Sequence, residues 1–313
     1  MVAVPIPWAG RTWALPFLTI LAPSLRWSKT HRKRHKTLTD GARQAILQTK
    51  RWLPHRPLVV VADSLSALGL LAAVCRHVGV ITRLRLDANL FKPAPKHRKG
   101  QRGRPPRKRL RLPKLNAVLA NKNTVWTSVV VSQWYNEQQR KLLVATGTAV
   151  WYHAGIPPVP IRWVLVRDPS GEHEPSAFLS AELAATPATT LGSFVSRWRV
   201  ETTFQEVRTH LGVETQRQWS DLAILRTTPA LLGLFSLITV WADGLARDTT
   251  TALRPNAAAW YRKQEPTFSD AIAAVRRVLW CPPNFSMSRQ IGDIIEIPTS
   301  LLNRVFQTLC LAA

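Results

Sequence analysis

The stretch that decides the fold is residues 56–87, RPLVVVADSLSALGLLAAVCRHVGVITRLRLD. Its segment 58–62 is a continuous apolar run rich in β-branched residues, which predicts a buried strand that ends at Asp63. A helix is expected over 65–79 and a second strand over 80–87. A strand, a helix and a strand of these lengths predict a parallel βαβ unit, and therefore an α/β fold with Asp63 at the carboxyl end of a strand.

The sequence on either side of this unit predicts the remaining architecture. Prolines interrupt the N-terminal segment 1–27, and no basic region precedes its apolar part. We therefore expect strand and loop there, and neither a signal peptide nor a membrane span. Thr39 or Asp40 is expected to cap a helix that runs to about Trp52. The segment 115–168 is rich in β-branched and aromatic residues, which predicts a largely antiparallel sheet, and the sequence beyond it is mainly helical in pattern.

The charge of the chain predicts the class of its partner. The 313 residues carry a formal net charge of +25, from 43 Lys and Arg against 18 Asp and Glu. Such an excess indicates a polyanionic partner, and nucleic acid is favoured over a membrane surface because no basic amphipathic helix is evident. The apolar run 229–246 is interrupted by Asp243 and is interpreted as a core helix. Three widely spaced cysteines form no metal-binding or disulfide pattern, which fits a reducing cytoplasm.

Residues 91–114 (FKPAPKHRKGQRGRPPRKRLRLPK) form a basic arm that is dense in Lys, Arg, Pro and Gly and contains no acid. Such a composition cannot bury a core and predicts a mobile segment. We interpret the arm as a contact to the DNA backbone, with a solvated loop as the alternative. Its candidate DNA-binding residues are Arg98, Lys99, Arg102, Arg104, Arg107, Lys108 and Arg109.

A second informative stretch is FVSRWRVETTFQEVRTHLGVETQRQW, residues 194–219. Phe194, Arg197, Glu201 and Arg208 stand there in the spacing aromatic-x2-Arg-x3-Glu-x6-basic. On one continuous helix, at about 100° per residue, the four would fall within an arc of roughly 60°. One face would then combine a metal-binding carboxylate with two guanidinium groups that bind phosphate, which suits metal-assisted phosphodiester chemistry. The alternative is an ordinary amphipathic helix with a surface pair of Arg197 and Glu201.

This spacing and the following run HLGVETQRQWSDLAILRTTPALLGLFSL (210–237) resemble the Tyr-Arg-Glu-Lys signature of the DDE transposases of insertion sequences. Phe194 stands where that family usually has Tyr, and Arg208 where it usually has Lys. The resemblance implies an RNase H-like α/β fold, a mixed sheet flanked by helices, with a β-rich insertion before the helix that carries Glu201. The implied domains are a partial RNase H-like core over 1–87, the basic arm and β-rich insertion over 88–190, the remainder of the catalytic core with the signature helix over 191–250, and a C-terminal helical tail over 251–313.

The resemblance also implies the catalytic residues. Asp63 would be the second and Glu201 the third member of an Asp-Asp-Glu triad that binds Mg²⁺ or Mn²⁺, while Phe194, Arg197 and Arg208 would contact DNA. The first Asp of the family lies on the first core strand, and neither Asp40, Asp87 nor Asp168 stands in such a position. We therefore expect an N-terminally truncated transposase, although a mis-assigned start codon would produce the same sequence.

The leading hypothesis is a transposase that cleaves and joins DNA at insertion-sequence ends. Its expected partners are the terminal repeats, the target DNA and a second copy of the chain, and no membrane partner is expected. The expected location is the bacterial cytoplasm, at the nucleoid. The alternative is a catalytically inactive DNA-binding remnant, and whether the chain is an active enzyme stays open at this point. A basic RNA-binding protein is a third hypothesis, but it does not explain the ordered spacing of 194–219.

Overall fold

The computed structural model describes residues 1–63, 67–95, 106–135, 137–215, 217–248, 263, 265–280 and 298–311. The chain divides into two compact units: the sheet unit, Ile20–Trp198, and the helical unit, which combines Met1–Thr19 with Arg199–Ala313. The domain boundaries expected from the sequence stay predictions. In chain order the elements are β1 (Val2–Trp8), β2 (Arg11–Leu18), α1 (Leu25–Thr30), α2 (Leu38–Trp52), β3 (Val59–Ala62), α3 (Leu68–Val74), β4 (Gly79–Leu84), β5 (Leu90–Phe91), α4 (Leu115–Ala120), β6 (Thr127–Trp134), β7 (Glu137–Trp151), β8 (Val159–Arg167), β9 (Ser176–Ser180), α5 (Pro187–Ser196), α6 (Arg199–Leu211), α7 (Asp221–Asp248), α8 (Phe268–Leu279) and α9 (Thr299–Leu311).

A mixed sheet forms the centre of the sheet unit. Its strand order is β3-β4-β9-β8-β7-β5, with β6 paired to β7. The strands β3 and β4 are parallel and α3 lies between them in the chain, which confirms the predicted βαβ unit. The pairings among β5, β6, β7, β8 and β9 are antiparallel, as predicted for the following segment. The prediction that β3 is a buried strand was wrong, because β3 ends the strand order of the described sheet and Val59 is 54% exposed.

Helices cover both faces of this sheet because successive strand residues point to opposite sides. Val80 packs in a core with Ile46 of α2 and Leu71 of α3. Its neighbour Ile81 packs in a second core with Leu191 of α5. A mixed sheet flanked by helices is consistent with an RNase H-like fold, as the family resemblance predicted.

The α2 helix begins slightly earlier than the sequence predicted. Its N-cap is Thr37, whose hydroxyl accepts the Asp40 N–H at 3.2 Å, while the Asp40 carboxylate accepts the Thr37 N–H at 3.1 Å. This reciprocal arrangement is a capping box. Thr39 and Asp40 are therefore inside the helix, and the predicted cap was wrong because the box uses Asp40 as its fourth residue.

Within the described residues, the helical unit packs the helices α6 to α9 with an antiparallel hairpin of β1 and β2. Trp13 of β2 is buried in a core with Val207 of α6, Phe235 of α7 and Phe268 of α8. The strand prediction for the N-terminal segment is thereby confirmed. The α7 helix over Asp221–Arg247 is long and apolar enough to cross a membrane by length and composition, a test that core helices of soluble proteins also pass.

Candidate active site

Asp63 lies directly after β3, at the carboxyl end of the parallel pair with β4. The buried Thr82 of β4 donates its hydroxyl to the Asp63 carbonyl oxygen at 3.2 Å, which fixes the main chain at this position. The Asp63 side chain is 47% exposed. The end of a strand in an α/β sheet is where ligands commonly bind, so the carboxylate is well placed to meet one.

Two arginines of the sheet unit surround the Asp63 carboxylate. Arg83 of β4 places Nε 3.9 Å from Oδ1, and Arg197 places Nη2 3.9 Å from Oδ2. Both distances exceed hydrogen-bonding range, so the guanidinium groups act on the carboxylate by charge. Arg197 was selected from the sequence, whereas Arg83 was missed. The signal that could have found Arg83 is its strand position on the same face as Ile81, two residues earlier.

Arg197 occupies the C-cap position of α5, and its N–H donates to the Phe194 carbonyl oxygen at 3.2 Å. Its guanidinium carbon lies 5.6 Å from the centre of the Phe194 ring and 5.5 Å from that of Trp198. The Phe194 ring is only 1% exposed and packs on Phe178, with 4.6 Å between ring centres. Phe194 therefore holds α5 on the sheet, and its ring presents almost no surface to a ligand.

The prediction that the signature residues lie on one continuous helix was wrong. The helix ends at Ser196, and α6 begins at Arg199 after a turn whose N–H groups at Arg197 and Trp198 bond three residues back. Arg197 thus belongs to the sheet unit and Glu201 to the helical unit. The spacing rule failed because it assumes an unbroken helix with one rotation per residue.

Glu201 is exposed on the first turn of α6, where the helix dipole favours a negative charge. The opposite side of α6 is buried, with Thr203 donating its hydroxyl to the Ala14 carbonyl oxygen at 2.8 Å. Glu206, five residues after Glu201, pairs with Arg11 at 3.1 Å. The packing of α6 on the hairpin therefore leaves Glu201 on the solvent side of the helix. Arg208, also exposed, forms an ion pair with Glu214.

The basic arm is described only at its two ends, and the candidate residues Arg98, Lys99, Arg102 and Arg104 lie outside the described residues. The two ends pair with each other: Arg109 donates its N–H to the Lys92 carbonyl oxygen, and Lys92 donates its own to Leu110. Lys108 places Nζ 3.8 Å from the centre of the Phe91 ring and 4.8 Å from that of Tyr152. Arg107, Lys108 and Arg109 are exposed on this ribbon, which extends β5.

Another acidic cluster lies in the turn between β8 and β9. Ligand atoms of Asp168, Glu172 and His173 lie within 4.8 Å of one another, so the cluster could hold a metal ion. Asp168 is already engaged, because its carboxylate accepts hydrogen bonds from Arg140 at 3.0 Å, from Ser170 and from the His173 N–H. Burial raises the pKa of Asp168, but the bonds from Ser170 and Arg140 outweigh burial and hold that pKa below its usual range.

Comparison with known proteins supports one class of enzyme. Residues 1–148 match the family model described as DDE superfamily endonuclease, and no curated protein matches the chain. The match supports a DDE-type transposase catalytic domain, as the sequence resemblance predicted, and with it cleavage of DNA as the activity and DNA as the substrate. The matched range contains Asp63 and the βαβ unit, and it ends before the signature residues 194–208, so the signature itself stays a prediction.

Proposed function

We propose that this chain supplies the catalytic core of a metal-dependent transposase that cleaves and joins DNA at the ends of an insertion sequence. The observation that carries the proposal is the position of Asp63, which directly follows β3 of the βαβ unit inside the residues that match the DDE family. A DDE-type endonuclease acts on phosphodiester bonds, and an exposed carboxylate beside two guanidinium groups suits that chemistry.

Asp63 and Glu201 are the proposed ligands of a divalent ion. Carboxylate oxygens are the donors that Mg²⁺ and Mn²⁺ prefer, and both side chains are exposed. When bound, the ion would supply Lewis-acid activation and charge stabilisation at the phosphate. The third carboxylate of the triad is not assigned, since Asp87 pairs with Arg85 at 2.6 Å and Asp168 organises its turn. With only two assigned ligands, we expect metal binding to be weak. The alternative function is that of an inactive remnant, which would bind DNA without cleaving it.

Arg83 and Arg197 are proposed to bind phosphate oxygens beside Asp63. A guanidinium group presents several donors in a plane, which matches the geometry of a phosphate, and it is charged at all relevant pH values. Arg197 is mostly shielded, with a side chain 16% exposed, so its position is fixed before DNA binds. Phe194 contributes by packing under α5, and Arg208 with the basic arm contacts the DNA backbone.

The partners and location follow from the same proposal. The DNA partners are the terminal repeats and the target site, and a second copy of the chain is the proposed protein partner, with each copy engaging one DNA end. A transposase domain of this family suggests a soluble cytoplasmic protein, and we propose that it associates with the nucleoid through its net charge of +25.

Manganese binding tests the proposal. We expect the folded chain to bind Mn²⁺ weakly, and we expect Asp63→Asn and Glu201→Gln each to weaken that binding by about tenfold or more, because each removes a charged ligand. The measurement is titration calorimetry, with paramagnetic relaxation of water protons as a second readout.

The matched control is Glu172→Gln, which alters the acidic cluster of the β8–β9 turn and leaves Asp63 and Glu201 in place. The control should bind Mn²⁺ like the parent chain. If Glu172→Gln abolishes binding while Glu201→Gln does not, the ion belongs to the turn cluster, and the proposed catalytic site is wrong.

A further inference from the structure

A second basic surface lies far from the arm in sequence and has no role in the site described above. This basic connector, residues 26–36 (RWSKTHRKRHK), comprises most of α1 and the connection to α2. It contains six Lys and Arg residues and no acid, and the first acid of the chain is Asp40. All six side chains are exposed: Arg26, Lys29, Arg32, Lys33, Arg34 and Lys36.

The connector has a defined backbone, unlike a disordered basic tail. Lys33 donates its N–H to the Ser28 carbonyl oxygen at 2.9 Å, and Arg32 donates to Lys29 at 3.1 Å. Arg32 has a φ of 50°, in the left-handed region, which turns the chain sharply. The buried Ser28 hydroxyl lies 3.3 Å from Nδ1 of His35 and ties the two ends of the turn together. The basic side chains therefore project from a preformed scaffold.

Asp40, the acid nearest to the connector in sequence, offsets only part of its charge, since this one carboxylate attracts Arg34. Asp40, the first acid, accepts hydrogen bonds from the N–H and hydroxyl of Thr37 as part of the α2 capping box. The ammonium group of Lys36 donates to the neutral side chain of Gln44 at 3.2 Å, a bond that leaves its charge in place. The connector is therefore a concentrated positive surface at the start of α2.

The chemistry of the connector favours duplex DNA over single strands. Proteins that hold unpaired bases offer aromatic faces for stacking. Among Trp, Tyr and Phe side chains, the connector has Trp27 alone. The Trp27 ring already stacks on the His31 ring, with 4.2 Å between ring centres, and its centre lies 5.2 Å from the Lys33 ammonium. The connector instead offers several Lys and Arg side chains close together in sequence, and such a group of cations suits binding to a phosphate backbone.

We propose that the basic connector is a preformed contact to the phosphate backbone of duplex DNA, separate from the basic arm. This inference rests on the proposed function in that it takes DNA as the substrate. It adds a second anchoring surface that contacts the duplex without regard to sequence, because phosphate contacts position a protein on DNA and do not read its bases.

Salt-dependent DNA binding tests the inference. The connector variant carries four substitutions in one chain: Arg32→Gln, Lys33→Gln, Arg34→Gln and Lys36→Gln. Its binding to a 30-bp duplex of arbitrary sequence is compared with that of the parent chain by fluorescence anisotropy. The titrations are made without divalent metal over a series of salt concentrations. Each cation that binds a phosphate contributes about 0.9 to the slope of log K against log salt. Loss of four cations, most or all of which bind phosphate, should therefore flatten the slope by about 2 to 4. Affinity at low salt should fall by about tenfold or more.

Two control variants separate a specific contact from a general decrease in charge. Replacing Arg56, Arg76, Lys122 and Arg167 with Gln removes the same charge from scattered exposed positions of the sheet unit and should change the slope by less than about 1. A second control replaces Lys with Arg and Arg with Lys at positions 32, 33, 34 and 36, which keeps the charge and should preserve DNA binding. Preserved binding would show that the turn tolerates substitution at these positions.

The outcomes separate this inference from the proposed function. If the parent chain binds duplex DNA but the connector variant matches the scattered control, the connector is a solvated turn and the inference is overturned, while the proposed function stands. If the connector variant loses binding but manganese binding does not depend on Asp63 or Glu201, the connector is a DNA contact and the proposed catalytic site fails.

Discussion

At the scale of single residues, two aspartates of the sheet unit show how surroundings decide what a carboxylate can do. Asp63 is about half exposed and faces two guanidinium groups at 3.9 Å, beyond hydrogen-bonding range. Asp168 is buried, with a side chain 2% exposed, and accepts several hydrogen bonds. The first carboxylate is exposed enough to be the metal ligand proposed above, whereas the second stabilises the turn between β8 and β9.

Asp168→Asn should destabilise the fold in a pH-dependent way. At neutral pH we expect a loss of about 2–3 kcal/mol, because Arg140 loses its buried charged partner. The folded-state pKa of Asp168 lies below its usual value, so its stabilisation is present above the unfolded pKa of about 4 and is lost as pH falls through the folded pKa. The difference in free energy of unfolding between parent and variant should therefore shrink as pH falls from about 5 to about 3.

Glu172→Gln is the control for this measurement, because Glu172 also pairs with Arg140, at 2.7 Å, but is more than half exposed. Its loss should change stability by less than about 1 kcal/mol. Denaturant unfolding of the three proteins at several pH values gives the comparison. A difference between parent and Asp168→Asn that stays constant with pH would contradict the assigned ionisation.

At the scale of elements, α6 is positioned by its buried side. Arg11 of β2 pairs with Glu206 and also donates to the Pro266 carbonyl oxygen at 3.2 Å, and its guanidinium lies 3.9 Å from the Trp13 ring centre. Glu206 in turn accepts the Phe268 N–H at the start of α8. This largely shielded ion pair thus joins the hairpin, α6 and α8, and it fixes the helix that carries Glu201.

Glu206→Gln should therefore be far more destabilising than Glu201→Gln on the same helix. Removing one charge of a shielded pair leaves Arg11 without its counterion, and we expect a loss of about 3 kcal/mol. Glu201 is exposed, so its change should cost less than about 1 kcal/mol. Denaturant unfolding measures both, and equal losses in the two variants would show that Glu201 has a structural role.

The elements that could be predicted from sequence are those whose local pattern agrees with their packing. The βαβ unit was predicted because its apolar runs have the lengths of two strands and a helix, and the antiparallel segment because its strands are dense in β-branched residues. The signature was predicted as one helix and is two, since Phe194 packs on Phe178 in one core and Val207 packs with Trp13 in another. Periodicity within one segment does not show where a helix changes its packing partner.

At the scale of the whole molecule, the candidate site could be predicted only in part. Asp63 was selected as a candidate because a strand end is a local feature, and Glu201 because its neighbours resemble a known signature. Arg83 was missed because the predicted βαβ unit does not by itself show that the Arg83 side chain reaches toward the Asp63 carboxylate. The basic connector was visible as a charge run, but its value as a surface depends on the fold of Ser28, Arg32 and His35 around the turn.

Asp63 and Glu201 are proposed to hold the same ion, and this is the central claim. A thiolate is a softer ligand than a carboxylate and favours a soft metal, so replacing both residues with Cys should create a site for Cd²⁺. The measurement is Cd²⁺ titration of Asp63→Cys, Glu201→Cys and the double variant, followed by the sulfur-to-metal charge-transfer absorption, with the parent chain as the baseline for its own cysteines. We predict that the double variant binds Cd²⁺ about 100-fold more tightly than either single variant, because two thiolates then share one ion. A double variant that binds no more tightly than the better single variant would contradict the shared site.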